Sequence, residues 1–350
     1  MQKLNVGVVG VTGYTGMELV RILNEHQGFE LGSVSSRSQA GRAFQELFPF
    51  FRGTCAGSMP VTYPDPELIS RDCDMVFLAV PHKTAMDMAA DFVSRNVKVI
   101  DLSADFRLRD DQVYTHWYEV EHTQQDLLKK TVYGLPEIYA QEIAQAGLTA
   151  NPGCYPTSVI LALYPGLRNN LLDAQGIIVD SKSGASGAGR SAKTATLFSE
   201  VTDSLRGYSL GRHRHTPEME QELSRAAGQE VRITFSPHLV PMNRGILSTC
   251  YVRLKEGTDV DKLRSYYQEF YRESPWVRVL PENVFPETRW VRGTMFCDLG
   301  FVMDKRTHRL IIVSCIDNLC RGASGQAVAN ANLMAGHDPG LGISNAPLMP

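Results

Sequence analysis

The sequence predicts an α/β protein with a Rossmann-type doubly wound parallel sheet, followed by an α+β domain with a mixed or antiparallel sheet. Three observations support this. The chain opens with a strand, a glycine turn and a helix; apolar runs alternate with helical stretches up to about residue 150; longer β-rich runs follow. We therefore expect a first domain over residues 1–150 and a second over 151–321, with a C-terminal helix at about 322–350 packing back on the first.

The first half of the chain supplies the elements of a parallel sheet. Leu4–Val9 is a short apolar run, and Phe29–Val34 is the next expected strand. Met75–Val80 and Val97–Leu102 are apolar throughout, as strands buried on both faces of a parallel sheet must be. Between the first two strands, helical spacing is shown by Met17, Leu19, Val20, Ile22 and Leu23. Ligands of such a sheet collect beyond the carboxyl ends of its strands.

The second half of the chain has a different residue pattern. A stretch rich in glycine and serine, Ser181–Ser191, precedes the β-rich runs Gly245–Leu254 and Leu310–Ile316. The closing segment, Ala323–Ala335, is rich in alanine and has helical spacing. These patterns predict the second sheet and the helix that returns to the first domain.

Composition limits the kind of partner. The chain has 350 residues, of which 43% are hydrophobic and 21% charged, and a net charge of −3, so it offers no global field to nucleic acid or an anionic membrane. Local cations must hold any anionic ligand, which favours a small-molecule site. The N-terminal residues turn glycine-rich too early for a signal peptide, and no apolar run approaches the ~18 residues of a membrane helix. We expect a cytoplasmic protein.

The cysteines form no framework. Seven are present, an odd number without paired CxxC spacing, which suits neither disulfides nor a zinc ribbon. We expect reduced thiols, six of them buried as apolar filling. The seven are Cys55, Cys73, Cys154, Cys250, Cys297, Cys315 and Cys320.

The glycine turn after the first strand predicts a dinucleotide site. Gly10, Gly13 and Gly16 alternate with Thr12, Tyr14 and Thr15 between the first strand and the first helix. Glycines there let backbone amides and the helix N-terminus approach a pyrophosphate. The spacing differs from G-x-G-x-x-G, but the position is the expected one. The alternative is a turn that only closes a tight β–α junction.

The residues after the second strand favour NADPH over NADH. An acidic residue there would accept from the ribose 2′-hydroxyl, whereas this chain has Ser36 and Arg37, a hydroxyl and a guanidinium that suit a 2′-phosphate. A solvated Arg37 is the alternative.

Cys154 is the candidate nucleophile. It lies in Asn151–Thr157, between turn-forming residues and the helical stretch Val159–Leu163. A thiol at a helix N-terminus is favoured as the thiolate, and the same amides stabilise an oxyanion. The alternative is a small buried residue near a turn.

His213 and His215 are candidate acid–base residues. They flank Arg214, and Thr216 before Pro217 is expected to be a helix N-cap. In an extended segment the two imidazoles share one face, where they can hold a thiol ionised and later donate a proton. Solvated rings at a polar helix cap are the alternative. No neighbouring ligand completes a zinc spacing, so we expect no metal.

Three motifs together resemble the N-acetyl-γ-glutamyl-phosphate reductase family of the aspartate-semialdehyde-dehydrogenase-like superfamily. These are Gly-Val-Thr-Gly-Tyr-Thr-Gly, Asn-Pro-Gly-Cys-Tyr-Pro-Thr, and Gly-Arg-His-Arg-His-Thr-Pro-Glu at 211–218; Ser158 departs from the family's Gly or Ala. The resemblance implies NADPH-dependent reduction of an acyl phosphate to an aldehyde, in arginine biosynthesis, through a thioester on Cys154. It also implies His215, or secondly His213, as the proton donor, and a homodimer or homotetramer.

The sequence gives weaker evidence for the residues that bind the substrate and the nicotinamide. Arg107, Arg190 and Arg212 compete to bind phosphate and carboxylate, with Arg107 preferred because it follows an expected strand; each could instead be solvated. Glu218 joins this expected substrate-binding set. The resemblance places Gly184 and Asn318 near the nicotinamide, although the glycine loop Ser183–Arg190 could be a flexible hairpin and Asn318 could cap the last helix.

Three alternatives remain open. Aspartate-semialdehyde dehydrogenase would use the same chemistry but has an Asn-x-Cys-Thr/Ser type of motif, and a carrier-linked aminoadipyl-phosphate reductase is not distinguished by motif. A regulator that senses NADPH would bind the cofactor without thiol reactivity at Cys154. The intact cysteine and histidine motifs favour an enzyme.

Overall fold

The computed structural model describes residues 3–349, which form two compact units. One unit runs to Pro152 and also contains Ala323–Ile343; the other comprises Gly153–Gly322 and the residues from Ser344 onward. None of the described helices is long and apolar enough to cross a membrane.

The first unit contains a seven-stranded sheet in which every pairing is parallel, in the order β3-β2-β1-β4-β5-β7-β6. This confirms the predicted doubly wound sheet. All four residues of β4 are buried, as expected for a central strand covered on both faces. The strand order reverses between β1 and β4, where ligands of such sheets bind. The strands are β1 (Leu4–Val9), β2 (Phe29–Ser35), β3 (Val61–Thr62), β4 (Met75–Leu78), β5 (Lys98–Asp101), β6 (Val132–Tyr133) and β7 (Leu148–Ala150).

Eight helices connect these strands. The first buries an apolar stripe that includes Leu19 and Leu23, and the fourth is capped by Asp65, whose carboxylate accepts two first-turn amides. They are α1 (Tyr14–Leu23), α2 (Phe44–Leu47), α3 (Cys55–Ser58), α4 (Pro66–Asp72), α5 (Ala85–Ser94), α6 (Asp111–Tyr118), α7 (Gln125–Lys130) and α8 (Pro136–Ala144).

The second unit contains a mixed seven-stranded sheet, in the order β12-β13-β14-β11-β8-β10-β9. β8 with β10 and β12 with β13 are parallel, and the other pairs are antiparallel. The strands are β8 (Ile177–Gly184), β9 (Arg206–Gly207), β10 (Ile233–Val240), β11 (Ile246–Val252), β12 (Val277–Val279), β13 (Cys297–Asp304) and β14 (Arg309–Ile316). The expected glycine loop Ser183–Arg190 is therefore partly wrong, since its first two residues complete β8.

The helices of the second unit cover one face of this sheet. Buried residues alternate with more exposed ones along β10, β11 and most of β8, because one face of these strands is packed more tightly than the other. The central helix, α9, contacts β11, β13 and β14, and its Ser158 hydroxyl lies 2.9 Å from the hydroxyl of Ser248 and 3.1 Å from that of Ser314. The helices are α9 (Cys154–Arg168), α10 (Phe198–Val201), α11 (Thr216–Ala227), α12 (Val260–Phe270) and α13 (Thr288–Val291).

The chain then returns to the first unit as α14 (Gly325–Met334), which contacts α1, α8 and β5. Its Asn330 amide donates to the carbonyl of Gly134 and to the side chain of Asn151. Polar side chains buried in this way must be hydrogen-bonded, so these contacts hold the alanine-rich helix in register.

Candidate active site

Two glycines of the N-terminal turn have conformational reasons to be glycine. Gly10 has a φ of +93°, and a Cβ there would collide with the carbonyl of Ala79. A Cβ on Gly16 would collide with the carbonyl of Gly10. Gly13 is the extended N-cap of α1 and has no such constraint. Close contact with neighbouring backbone therefore requires glycine at positions 10 and 16, as in the tight turns that bind the pyrophosphate of a dinucleotide.

The side chains of this turn flank the start of α1. Thr12 lies in the turn itself, whereas Tyr14 and Thr15 occupy the first turn of the helix; all three are half-buried. The carbonyl of Thr15 accepts a hydrogen bond from the Ser324 hydroxyl at 2.9 Å. The amide N–H groups of this first turn, with the positive end of the helix dipole, fit an anionic ligand.

The end of β2 is bonded directly to the glycine turn. The carbonyl of Ser35 accepts from Gly10 N at 2.9 Å and from Val11 N at 3.2 Å. Ser36 is buried, whereas Arg37 is exposed to solvent two residues beyond the bonded carbonyl. Arg37 therefore follows closely on the strand end that is bonded to the glycine turn, and no acidic residue adjoins it in sequence, as a 2′-phosphate site requires.

Cys154 is the first residue of α9 and is half-buried. The preceding Gly153 is the extended N-cap, and its N–H donates to the Glu218 carboxylate at 2.8 Å. Gly322 packs closely against the cysteine, since a Cβ at 322 would lie 2.7 Å from the Cys154 Cβ. The thiol is thus held at a helix N-terminus, which favours an anion.

The other six cysteines differ from this one. Five are buried, and burial raises the pKa of Cys73 and of Cys250 to about 12, so these thiols stay protonated and unreactive. Cys55 is exposed, which shows that the prediction of six buried cysteines is wrong for this one. All seven lie in the described part of the chain and are free thiols.

The structure brings His213 and His215 together, with ring centroids 4.9 Å apart. Both rings meet Tyr155 edge-on, at 5.5 and 6.0 Å. A turn produces this arrangement rather than the expected extended segment, because the His215 backbone N–H donates to His213 Nδ1 at 3.1 Å. The helix N-cap prediction is wrong by one residue: His215 occupies the cap position and Thr216 begins α11.

The two histidines differ electrostatically. Burial, helped by the charge of Arg214, lowers the pKa of His213 to about 4, so its imidazole is neutral near pH 7. Because Nδ1 accepts a backbone hydrogen bond, the proton of the neutral ring belongs on Nε2. His213 is therefore set up as a fixed N–H donor.

Glu218 lies in the first turn of α11 and is only 1% exposed. Its hydrogen bond to Gly153 joins the N-terminus of α11 to the turn that carries the nucleophile. Binding of substrate by Glu218 stays a prediction; one oxygen of its carboxylate is bonded to a backbone amide.

Two tyrosines of the site were not predicted. The Tyr208 hydroxyl donates to the Tyr155 hydroxyl at 2.9 Å, and burial raises the pKa of Tyr208 to about 12 and that of Tyr155 further. The charge of a Cys154 thiolate adds to both upward shifts. Tyr155 adjoins the nucleophile in sequence, whereas nothing in the sequence distinguishes Tyr208.

The three candidate arginines lie in different environments. Arg107 is buried in the first unit, where Nε donates to the Asn151 carbonyl at 2.8 Å and Nη2 to the Leu102 carbonyl at 2.9 Å. Arg190 and Arg212 belong to the second unit and are exposed. Arg107 thus ties the loop after β5 to the segment before the nucleophile.

Asn318 and Gly184 belong to a cluster of loops in the second unit. Asn318 Oδ1 accepts from Gly245 N at 2.7 Å and Nδ2 donates to the Ser186 hydroxyl at 2.9 Å, so the suggested role as a cap of the last helix is wrong. Gly184 must be small, because a Cβ would lie 2.8 Å from the Asn243 carbonyl. The neighbouring Asp317, which sequence reasoning missed, accepts from the backbone amides of Leu319 and Cys320.

Within residues 3–349, no group of three or more His, Cys, Asp or Glu side chains is arranged to hold a metal ion. The chemistry available is that of a thiol, two imidazoles, helix-terminal amides and guanidinium groups.

Two family models match the chain. The semialdehyde dehydrogenase, NAD binding domain, matches residues 5–146, and the semialdehyde dehydrogenase, dimerisation domain, matches residues 154–318. Solved structures of the same fold include aspartate semialdehyde dehydrogenase II of Vibrio cholerae complexed with ASA (TM-score 0.72, 17% identity, 96% of this chain and 99% of that chain). Another is aspartate semialdehyde dehydrogenase with NADP from Candida albicans (TM-score 0.73, 16% identity, 95% and 99%).

Curated relatives are much closer in sequence and confirm the resemblance of the motifs. N-acetyl-gamma-glutamyl-phosphate reductase of Pelotomaculum thermopropionicum is 48% identical over 351 residues, covering 99% of both chains. That of Pelobacter propionicus is 49% identical over 348 residues, covering 99% of this chain and 100% of the relative. The chain therefore belongs to the N-acetyl-γ-glutamyl-phosphate reductase family.

Proposed function

We propose that this enzyme reduces N-acetyl-γ-glutamyl phosphate to N-acetylglutamate 5-semialdehyde with NADPH, releasing phosphate, in arginine biosynthesis. The observation that carries the proposal is the half-buried Cys154 at the N-terminus of α9, followed in sequence by Tyr155, whose ring contacts both imidazoles. The names of the curated relatives support the same reaction.

Cys154 acts as the nucleophile. Its thiolate attacks the γ-carbonyl carbon of the acyl phosphate, and the bond to the phosphate oxygen breaks, which leaves a thioester on the enzyme. The helix-terminal amides of α9 stabilise the oxyanion that forms on attack. Bound NADPH supplies the hydride that reduces the thioester.

His215 acts as the acid–base residue, and His213 acts as a hydrogen-bond donor whose charge does not change. The ring of His213 is neutral with its Nδ1 occupied, so it donates from Nε2 without changing its charge. His215 takes the thiol proton and later protonates the oxygen of the thiohemiacetal, from which the aldehyde leaves as the thiolate reforms. The family resemblance implies His215 as the first choice of proton donor and His213 as the second. The proposal keeps His215 in that role and gives His213 a separate one.

The cofactor fits the first unit. Gly10, Gly13 and Gly16 with Thr12, Tyr14 and Thr15 would hold the pyrophosphate at the N-terminus of α1, in a tight turn whose own backbone leaves no room for a Cβ at Gly10 or Gly16. Ser36 and Arg37 would hold the 2′-phosphate. Placing Gly184 and Asn318 at the nicotinamide rests on the family resemblance.

Arg107, Arg190 and Arg212 are proposed to bind the phosphate and carboxylate of the substrate. The exposed Arg190 and Arg212 present their side chains to solvent, and Arg107 follows the carboxyl end of β5. Glu218 is better described as a positioning residue, because its carboxylate accepts the Gly153 amide.

A homodimer, with a homotetramer as the larger alternative, is the proposed assembly. The matched dimerisation domain supports it, and so does the half-buried face of the second sheet, where Ile178, Tyr251 and Ile311 lie side by side on three adjacent strands. A second copy would cover this apolar row. Tyr251→Asp should yield monomers in light scattering, and an unchanged mass would contradict this interface.

We place the enzyme in the cytoplasm, where its catalytic thiol stays reduced.

The test is the reverse reaction. Phosphate-dependent reduction of NADP⁺ is measured with N-acetylglutamate 5-semialdehyde and with aspartate semialdehyde, for the native enzyme and Cys154→Ala. Activity on the first substrate alone, abolished by the substitution, is expected. Activity on aspartate semialdehyde would change the substrate, and NADPH binding without turnover of either would favour a regulator or a carrier-bound substrate.

A further inference from the structure

We propose that the Cys154 site also hydrolyses activated esters of short carboxylic acids in the absence of NADPH, an acyl-transfer activity separate from the reductase reaction. The inference rests on the proposed thioester route. It extends that route to substrates without a phosphate group and to water as the acceptor.

The acyl-transfer groups all belong to one compact unit. Cys154, the Gly153 turn, His213 and His215 lie in the second unit, and the bond from Gly153 to Glu218 is internal to it. The glycine turn at Gly10–Gly16 belongs to the first unit. The groups that form and break an acyl–sulfur bond are therefore built independently of the dinucleotide turn.

The chemistry balances without a reductant. The thiolate forms a bond to the ester carbonyl carbon, the carbon–oxygen bond breaks, and the alcohol leaves with a proton. Water then attacks the thioester carbonyl, the carbon–sulfur bond breaks, and the carboxylic acid leaves as the thiol reforms. Neither step changes an oxidation state, so only the reductase reaction needs hydride.

The site offers the groups that both steps require. Thr157 N and Oγ1 bond to the Gly153 carbonyl, which holds the first turn of α9 in place, and the Tyr155 amide of that turn is the donor we assign to the oxyanion. His213 presents a fixed N–H, since its Nδ1 is occupied by His215 N. His215 then serves as the base that activates water.

A matched control exists among the thiols of the chain. Cys55 is exposed, whereas Cys154 is half-buried, so a difference between the two in favour of Cys154 cannot come from accessibility. Cys55 begins the four-residue helix α3 in the first unit, away in sequence from every histidine of the site. Unassisted acylation of an accessible thiol would therefore favour Cys55.

The experiment mixes 4-nitrophenyl acetate with the full-length enzyme in the absence of cofactor and follows 4-nitrophenolate. We expect a burst of about one nitrophenolate per chain, followed by slower turnover as the thioester is hydrolysed. Hydroxylamine should accelerate turnover and yield acetohydroxamate. Cys154→Ala should lose the burst, and Cys55→Ala should retain it.

Peptide mass mapping of the native enzyme during turnover removes any dependence on how a variant folds. An acetyl group on the peptide that contains Cys154 is the expected result. Acetylation only at Cys55 or at lysines, or an equal burst in Cys154→Ala, would overturn the proposal. The reductase assay on the same preparation separates the two ideas: reductase activity without a burst contradicts only the esterase activity, and a burst without reductase activity contradicts only the proposed function.

Discussion

The Glu218 carboxylate accepts the backbone N–H of Gly153 at 2.8 Å, one residue before the nucleophile. Both groups are buried, and they belong to different helix N-termini, those of α11 and α9. The bond fixes where the first turn of α9 begins, and so fixes the position of Cys154. We therefore expect Glu218 to act by positioning the nucleophile.

Replacing Glu218 should therefore affect kcat more than KM. Glu218→Ala leaves a buried amide unsatisfied, which should cost ~1–3 kcal/mol of unfolding free energy. Misplacement of the thiol should lower kcat about tenfold to a hundredfold. Glu218→Gln keeps an acceptor oxygen and should retain most of the activity. Steady-state kinetics and urea unfolding check this, and a rise in KM alone in both variants would instead indicate substrate binding.

The pH profile should distinguish the two histidines. His213 has a pKa near 4 and accepts a hydrogen bond at Nδ1, so it does not titrate near neutral pH. His213→Asn should lower kcat without moving the acidic limb of the kcat profile. His215→Asn should abolish that limb along with most of the activity. A limb that disappears only in the His213 variant would reverse the two roles.

Cofactor preference should depend on Arg37. Its exposed guanidinium follows the strand end whose Ser35 carbonyl holds the glycine turn, so Arg37→Glu should weaken NADPH binding roughly tenfold to a hundredfold by like-charge repulsion. NADH lacks the 2′-phosphate and should be affected much less. Arg42→Glu is the control, because Arg42 is also exposed in this unit and pairs with Glu46. Fluorescence titration measures both affinities, and equal losses for the two cofactors would exclude the 2′-phosphate role.

Stability should fall at mildly acidic pH through His26. Burial lowers its pKa; Nδ1 accepts from Gly28 N and Phe29 N, and Nε2 bonds to the Leu341 carbonyl of the C-terminal segment. A histidine whose folded pKa is depressed binds fewer protons when folded, so its contribution is complete above the unfolded pKa of ~6.5 and is lost as pH falls. Urea unfolding at pH 7.5 and 5.5 should show this loss, and His26→Asn should reduce it. An identical pH dependence in the variant would contradict the role.

Much of the fold could be predicted from the sequence, because in the strands and the glycine turn the local residue pattern agrees with the burial and backbone conformation in the folded protein. Met75–Leu78 is apolar because it is buried on both faces, and Gly10 is glycine because its φ is positive. The details that were missed depend on contacts distant in the chain. Glu218 cannot be paired with Gly153 from spacing alone, and the turn that brings the two histidine rings together edge to face includes a bond from the His215 backbone to the His213 side chain that the sequence does not indicate. Tyr208 enters the site only because β9 pairs with β10 beside it.

The buried carboxylate of Asp317 gives a stability prediction for the loops of the second unit. It is fully buried and accepts five hydrogen bonds, two from the Arg244 guanidinium and one each from the amides of Gly293, Leu319 and Cys320. Asp317→Asn replaces an acceptor oxygen with an NH₂ group that faces donors. It also removes the negative charge that pairs with the mostly buried Arg244. Breaking one partner of such a pair should cost ~3–5 kcal/mol.

Arg244→Met is the matched control for that prediction. It leaves Asp317 with three backbone donors, so it should cost less than Asp317→Asn. In the double variant residue 244 is uncharged, so no buried charge loses its partner. The loss of unfolding free energy in the double variant should therefore be smaller than the sum of the two single losses. Urea unfolding of all four proteins measures the coupling. Additive losses would mean that Arg244 and Asp317 contribute independently, and would contradict the stabilising ion pair between them.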